Sequence, residues 1–266
     1  MLLFSTRGLP KSRLWRSAVI ALVLVGAVTG SIAYHSRKSN ALWRIVHNAC
    51  VPNQEKHGNP APCTLVNLKQ GYALLKDKVG RTQYLLLPTA RISGIESASL
   101  LARDTPNYFK AAWDSRVLIS KRLGRTLPRD AIGMAVNSVF GRSQNQLHIH
   151  IDCVASDVRT QLRARLSAIG TRWASLPFRL DRHPYRARRV DSTGLQGVNP
   201  FVLLAQDVQQ SAAHDMKRQT LVVVGMVFEN GSDGFILLAD TADVLHGNLA
   251  NGEELLDHAC SVARQP

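Results

Sequence analysis

The chain has 266 residues, 45% of them hydrophobic and 20% charged, with a net charge of +14 and a pI near 10.2. That hydrophobic share excludes a disordered chain and suffices for one large core or two small ones. The basic residues are scattered, are not interleaved with aromatic stacking positions and form no nucleic-acid motif, so the expected partner is an anionic membrane surface or a polyphosphate.

Ala18 to Ala33 contains no charged residue and, with Ser17 and Tyr34, is just long enough to cross a hydrocarbon core of ~30 Å as a helix. Arg7, Lys11, Arg13 and Arg16 precede it with no acidic residue among them. The positive-inside rule then predicts a cytoplasmic segment over residues 1–16, a transmembrane anchor over 17–34 and an exported domain over 40–266. The alternative is a signal peptide cleaved after Ser31-Ile32-Ala33.

Leu42 to His47 reads as a short amphipathic helix that stops before a Pro- and Asn-rich loop between Cys50 and Cys63. Tyr72–Leu75 and Tyr84–Leu87 read as strands of a hairpin turning at Gly80. Ser97–Leu101 and Tyr108–Leu123 read as helices, the longer one capped by Gly124. Ile132–Asn137 and Gln146–Cys153 form a second strand pair about Gly141, and Asp157–Leu176 a further helix. Arg186, Arg188 and Arg189 fall in a short irregular stretch where guanidinium groups grip phosphate or simply form a basic surface. Leu221–Phe228 and Phe235–Ala239 resemble the first hairpin in plan, which predicts a catalytic half over 40–155 and a degenerate half over 156–266. Polar helical segments over Thr241–Ala263 close the chain. The expected class is α+β, an antiparallel sheet with flanking helices.

The four cysteines, Cys50, Cys63, Cys153 and Cys260, fit an oxidising compartment. Three pairings are open, among them Cys50 with Cys63 across the short loop and Cys153 with Cys260 between the second hairpin and the C-terminal segment. With no CxxC pair, a zinc site is not expected.

Chemistry concentrates in Gln146 to Cys153, where polar and apolar residues alternate strictly. His148, His150 and Asp152 share one face, roughly 6.5–7 Å between neighbours, and Leu147, Ile149, Ile151 and Cys153 share the other. Burying three ionisable groups unpaired costs several kcal/mol, so the row is expected to face a cleft. Such a row either holds a metal or supplies an imidazole that attacks phosphorus.

Upstream, Asn137 stands seven positions and Gly141 three positions before Gln144, and His148-Ile149-His150 begins four positions after it. That spacing resembles the nucleotide site of the histidine triad superfamily. Leu42–His47, Cys50-Val51-Pro52-Asn53, Asn59-Pro60-Ala61-Pro62-Cys63, Gln83–Thr89 and Tyr185–Val190 are similar to a narrower branch, the bacterial CDP-diacylglycerol pyrophosphatases, over about Leu42 to Cys260. The resemblance implies a histidine-triad-like fold and hydrolysis of CDP-diacylglycerol to CMP and phosphatidate at the bacterial inner membrane. A lipid substrate favours a retained anchor, with the catalytic domain in the periplasm. By register it implies His150 as nucleophile and His148 as its neighbour, with Asn137, Gln144 and Asn145 on the phosphate oxygens and no metal or cofactor. Asp152 stands where the general pattern has a third histidine, and a carboxylate there repels phosphate, so a supporting role is expected. A nucleotidyltransferase and a non-enzymatic metal-binding module are the competing readings.

Overall fold

The computed structural model describes residues 39–191, 193–210 and 215–264. The basic N-terminus and the apolar run Ala18–Ala33 lie outside them, and no helix among the described residues is long and apolar enough to cross a membrane.

Among the described residues ten strands form one antiparallel sheet: β1 (Leu65–Asn67), β2 (Tyr72–Lys76), β3 (Tyr84–Pro88), β4 (Ile132–Val136), β5 (Ile149–Val154), β6 (Ala174–Ser175), β7 (Arg186–Asp191), β8 (Gln219–Val227), β9 (Asp233–Thr241) and β10 (Leu256–Asp257). Their order is β1-β2-β3-β5-β4-β8-β9-β7-β6, with β10 pairing β5 beyond the start of β3. With its helices, the chain has the expected α+β class.

Both faces of the sheet are covered, which is why its central strands read as almost unbroken apolar runs such as Leu221-Val222-Val223-Val224. The larger core lies on one face under the helices Tyr108–Ser115, Val117–Leu123 and Pro200–Gln210. There Phe109 packs on Phe201 with centroids 5.0 Å apart, and Trp113 meets Phe235 edge-on at 4.9 Å. The opposite face carries two smaller cores. One holds Val46, Cys50, Leu85 and Leu87; the other holds Val158, Leu162, Val222 and Leu238. β5 runs along their seam, where His150 pairs across to Leu85 on one side and Ala135 on the other.

Several elements depart from expectation. The first helix does not stop at His47 but continues through a π segment, Val46–Cys50, into Val51–His57. The wider π turn accommodates the missing N–H of Pro52, and Gly58, at φ 62°, ends the helix. Tyr108–Leu123 breaks at Arg116 into two helices. The helix from Ser156 ends at Ala164. Arg186–Asp191 is a regular strand with six residues paired to β9. The C-terminal segment consists of short 3-10 turns and β10.

The strand order is symmetric about the β4–β8 junction, so β8–β9 takes the place of β4–β5 and β6–β7 that of β2–β3. The counterpart of the second apolar hairpin is therefore the His-bearing hairpin, not Tyr72–Pro88. Where β5 carries His150 and Asp152, β9 turns Ile236 and Leu238 to the same face.

Cys50 is bonded to Cys63, and Cys153 to Cys260 across 107 residues of sequence. The second bond fastens the C-terminal turns to β5. Replacing Cys153 and Cys260 together by Ser should lower the free energy of unfolding by about 2–5 kcal/mol. Urea unfolding under non-reducing conditions measures this, and an unchanged midpoint would contradict it.

Candidate active site

His150 projects from β5 into the seam and is only 5% exposed. Its Nδ1 lies 3.2 Å from Glu253 Oε1 and 2.8 Å from Gln83 Nε2. The Gln83 amide has two hydrogens, and carboxylates at 2.9 Å, Asp77 Oδ2 and Glu253 Oε1, accept both. That leaves Nδ1 to carry the proton and donate it to Glu253. Nε2 then bears the lone pair, and it is buried with no hydrogen-bond partner among the described residues.

Glu253 sits in a 3-10 turn, Gly252–Leu255, laid on the sheet. A Cβ on Gly252 would come within 2.4 Å of Thr220 Oγ1 and 2.6 Å of Val222 Cγ2, so only glycine lets the turn approach this closely. Asn137 Oδ1 accepts the Glu253 backbone N–H at 3.2 Å. Burial opposes the charge on Glu253, but hydrogen bonds from His150, His258 and Gln83 outweigh it and hold the carboxyl far below the ordinary range.

Asp152 does not face open space. It is fully buried; its Oδ1 accepts from Thr82 Oγ1 and from the Cys153 N–H, and Oδ2 lies 3.0 Å from His258 Nδ1. His258 Nε2 is in turn 3.3 Å from Glu253 Oε1. The hydrogen bonds to Asp152 and then Glu253 raise the His258 pKa to about 10 against its desolvation, so it is a cation at neutral pH. His148 behaves oppositely. Burial, and then the neighbouring His150, push it down to about 4, and its Nδ1–H donates to Gln146 O at 2.7 Å. The two imidazoles meet edge to face at 4.8 Å.

His148, His150 and Glu253 open on a cavity of about 540 Å³, a volume suited to a nucleotide-sized ligand. Leu42, Ile45, Leu75 and Leu85 give it an apolar wall, and Lys76 and Lys78 bring positive charge.

The other residues singled out from sequence are dispersed. Gln144 lines this cavity, and its Oε1 accepts from the Leu42 N–H at 3.2 Å. Asn145 is exposed, and its backbone N–H is engaged by Ser39 O at 2.6 Å. Asn137 serves the Glu253 backbone. Arg186, Arg188 and Arg189 lie on β7, four strands from β5, roughly 19 Å away at ~4.8 Å per strand. Arg186 pairs there with Asp207 and Gln219, Arg188 lies over Trp173, and Arg189 lies over Phe228. The expected irregular stretch is thereby corrected to a strand, which lies in the far half of the sheet and not at the His150 cavity.

Sequence reasoning missed Glu253, His258, Gln83 and Lys76. The one signal that brings His258 to Asp152 is Cys260, two positions on, bonded to Cys153 next to Asp152.

The cavity thus combines an apolar wall with lysine side chains and two imidazoles. The family model of the CDP-diacylglycerol pyrophosphatases matches residues 37–264, most of the chain, and the chain belongs to that family. It is a hydrolase of phospholipid metabolism, acting on CDP-diacylglycerol.

The His258 cation links stability to pH. Its pKa in the folded protein, about 10, lies above the ordinary 6.5, so its contribution is full below pH 6.5 and disappears as pH rises through 10. Melting temperature should therefore fall more steeply from pH 7 to pH 10 in the wild type than in His258→Gln. Parallel curves would contradict the assignment.

Proposed function

We propose that His150 is the nucleophile of the hydrolysis and that the chain is a histidine-triad-like enzyme. The observation that carries this reading is the buried, unpartnered Nε2 of His150, whose lone pair is left free because Nδ1–H is held by Glu253. Nε2 attacks the cytidylyl phosphorus. An N–P bond forms, the P–O bond to the bridging oxygen breaks, and the electron pair leaves with phosphatidate. Water then attacks the phosphoramidate, releases CMP and returns the lone pair to Nε2.

Positive charge develops on the His150 ring as the N–P bond forms, and Glu253 is placed to stabilise it. His258 supplies a fixed positive charge beside the site, and because Asp152 is committed to His258, its carboxylate does not repel phosphate. This accounts for a carboxylate at the third position of the His-x-His-x-x pattern: the missing cation arrives from the C-terminal segment. His148, uncharged at neutral pH, walls the site beside the nucleophile. Lys76, whose Nζ donates to Asp77 O and Gly80 O, faces the cavity and balances the phosphate charge.

The apolar wall of Leu42, Ile45, Leu75 and Leu85 suits the start of the diacylglycerol moiety. In this reading Ala18–Ala33 anchors the enzyme in the bacterial inner membrane and residues 40–266 act in the periplasm, an oxidising compartment that two disulfides fit.

His150→Ala should lower kcat by roughly 10⁴- to 10⁶-fold without unfolding the protein. Glu253→Gln, which disturbs the tautomer, should cost on the order of 10³-fold. Quenched single turnovers with substrate labelled on the cytidylyl phosphorus should label the wild type and not His150→Ala. Near-normal turnover of His150→Ala, with collapse in His148→Ala, would move the nucleophile two residues upstream.

A further inference from the structure

The antiparallel register places the start of β5 at the same end of the sheet as the starts of β7 and β8 and the ends of β4 and β9. The loops at that end are joined to one another. Ser138 N donates to Ala250 O at 3.1 Å, Val139 N to Lys217 O at 2.9 Å, and Asn145 N to Ser39 O at 2.6 Å. Ser39 follows the apolar run Ala18–Ala33 after five residues, a link that spans at most about 20 Å.

Two features stand side by side here and neither is used by the chemistry at His150. The first is a projecting turn, closed by the Asp243 and Asn248 backbones, which exchange hydrogen bonds at 2.8 and 3.0 Å; Gly247, at φ 79°, makes the bend. Leu245 at its tip is 95% exposed, and Val244, Leu249 and Phe140 are exposed beside it. Scattered surface leucines are ordinary, but an almost fully exposed one at the tip of a hydrogen-bonded turn, with three apolar neighbours, marks a contact surface.

The second is a cavity of about 1000 Å³ at the base of that turn, larger than the one at His150, into which Arg179, Arg182 and Arg218 project. Arg186 also lines it but is neutralised by Asp207. The two carboxylates on its wall are engaged: Asp240 accepts from Asn248 Nδ2 at 2.8 Å, and Asp243 is 2.7 Å from His246 Nδ1. Arg179 and Arg218 donate to the backbone carbonyls of Arg182 and Ala242, which supply no countercharge. Among the described residues, the guanidiniums of Arg179, Arg182 and Arg218 meet no carboxylate within ion-pair distance.

We propose that this end of the sheet docks on an anionic bilayer, with Leu245 and its neighbours among the acyl chains and a lipid headgroup phosphate held by Arg179, Arg182 and Arg218. A planar guanidinium matches phosphate geometry, and an apolar tip beside a cationic recess fits a surface that is anionic outside and apolar a few ångströms deeper. Leu42, on the apolar wall of the His150 cavity, is held by Gln144 from the loop at this same end, so a docked enzyme receives its substrate from the layer it stands on. The inference rests on the lipid nature of the substrate and is independent of which histidine attacks.

The test uses the full-length chain reconstituted in vesicles. Because the four native cysteines are paired, Leu245→Cys offers one thiol for a polarity-sensitive fluorophore. In vesicles of phosphatidylcholine and phosphatidylglycerol in equal amounts its emission should shift to the blue and be quenched by lipids brominated on their acyl chains. The shift should weaken in phosphatidylcholine alone or at high salt. The same dye on Val227→Cys, exposed at the opposite end of the sheet, should report water throughout. Replacing Arg179, Arg182 and Arg218 together by Ala should lower CDP-diacylglycerol hydrolysis on anionic vesicles by roughly 100-fold, at about fivefold for each lost arginine contact, and leave hydrolysis in detergent micelles unchanged, which also shows that the variant folds. A water-like signal from position 245 on both vesicles, or wild-type vesicle activity in the triple variant, overturns the proposal. So does an Arg-dependent signal that ignores vesicle charge and is abolished by inorganic phosphate, which would assign the recess to a soluble anion.

Discussion

The structure depends most on one hydrogen bond, from His150 Nδ1–H to Glu253 Oε1. An imidazole has one proton to place when uncharged, and only the tautomer with Nδ1–H leaves the lone pair on Nε2. Glu253 keeps its charge although partly buried, because His258 and Gln83 also donate to it. His258 in turn keeps its proton because Asp152 and Glu253 both accept from it. The group works as a chain of alternating charges, Asp152, His258 and Glu253, ending on the ring of His150. Removing an inner member leaves a buried charge unpaired, which is why each must be supplied together with its partner.

That requirement explains much of the fold around it. Two members come from β5 and two from the C-terminal segment, more than one hundred residues away in sequence, so the segment must be held on the sheet to within hydrogen-bond tolerance. β10 pairs with β5, Cys260 is bonded to Cys153, and Asn137 accepts from the Glu253 backbone. The hairpin turn between β2 and β3 closes over the same segment: a Cβ on Gly80 would come within 2.8 Å of His258 Cβ, and the Arg81 N–H donates to His258 O at 3.1 Å. The cluster on β5 is thus completed by residues of the C-terminal segment, and the seam between the two small cores is where they meet.

The strict alternation from Gln146 to Cys153 was enough to put Leu147, Ile149, Ile151 and Cys153 in the large core and the two histidines on the cavity side, since a period of two admits one such register. Composition and pattern also sufficed for the α+β class and the central hairpins. What the sequence concealed was tertiary. Glu253 and His258 stand in a short polar stretch with no periodicity and no spacing relation to β5. Arg186, Arg188 and Arg189 looked like a phosphate grip because Tyr185–Asp191 shows no clean alternation, yet the strand is amphipathic in a different sense: Ala187 enters a core while the arginines lie over Trp173 and Phe228. The first helix ran on past Pro52 because a π turn can absorb a missing donor, an option a propensity argument does not weigh.

The tautomer of His150 carries the whole account and is directly observable. Nitrogen-15 NMR of histidine-labelled protein near pH 7, with the His150 signals assigned by comparison with His150→Ala, separates a protonated ring nitrogen from a bare one. The account predicts a protonated Nδ1 and an unprotonated Nε2 in the wild type, with that preference lost in Glu253→Gln. A proton on Nε2 and a bare Nδ1 in the wild type would contradict it.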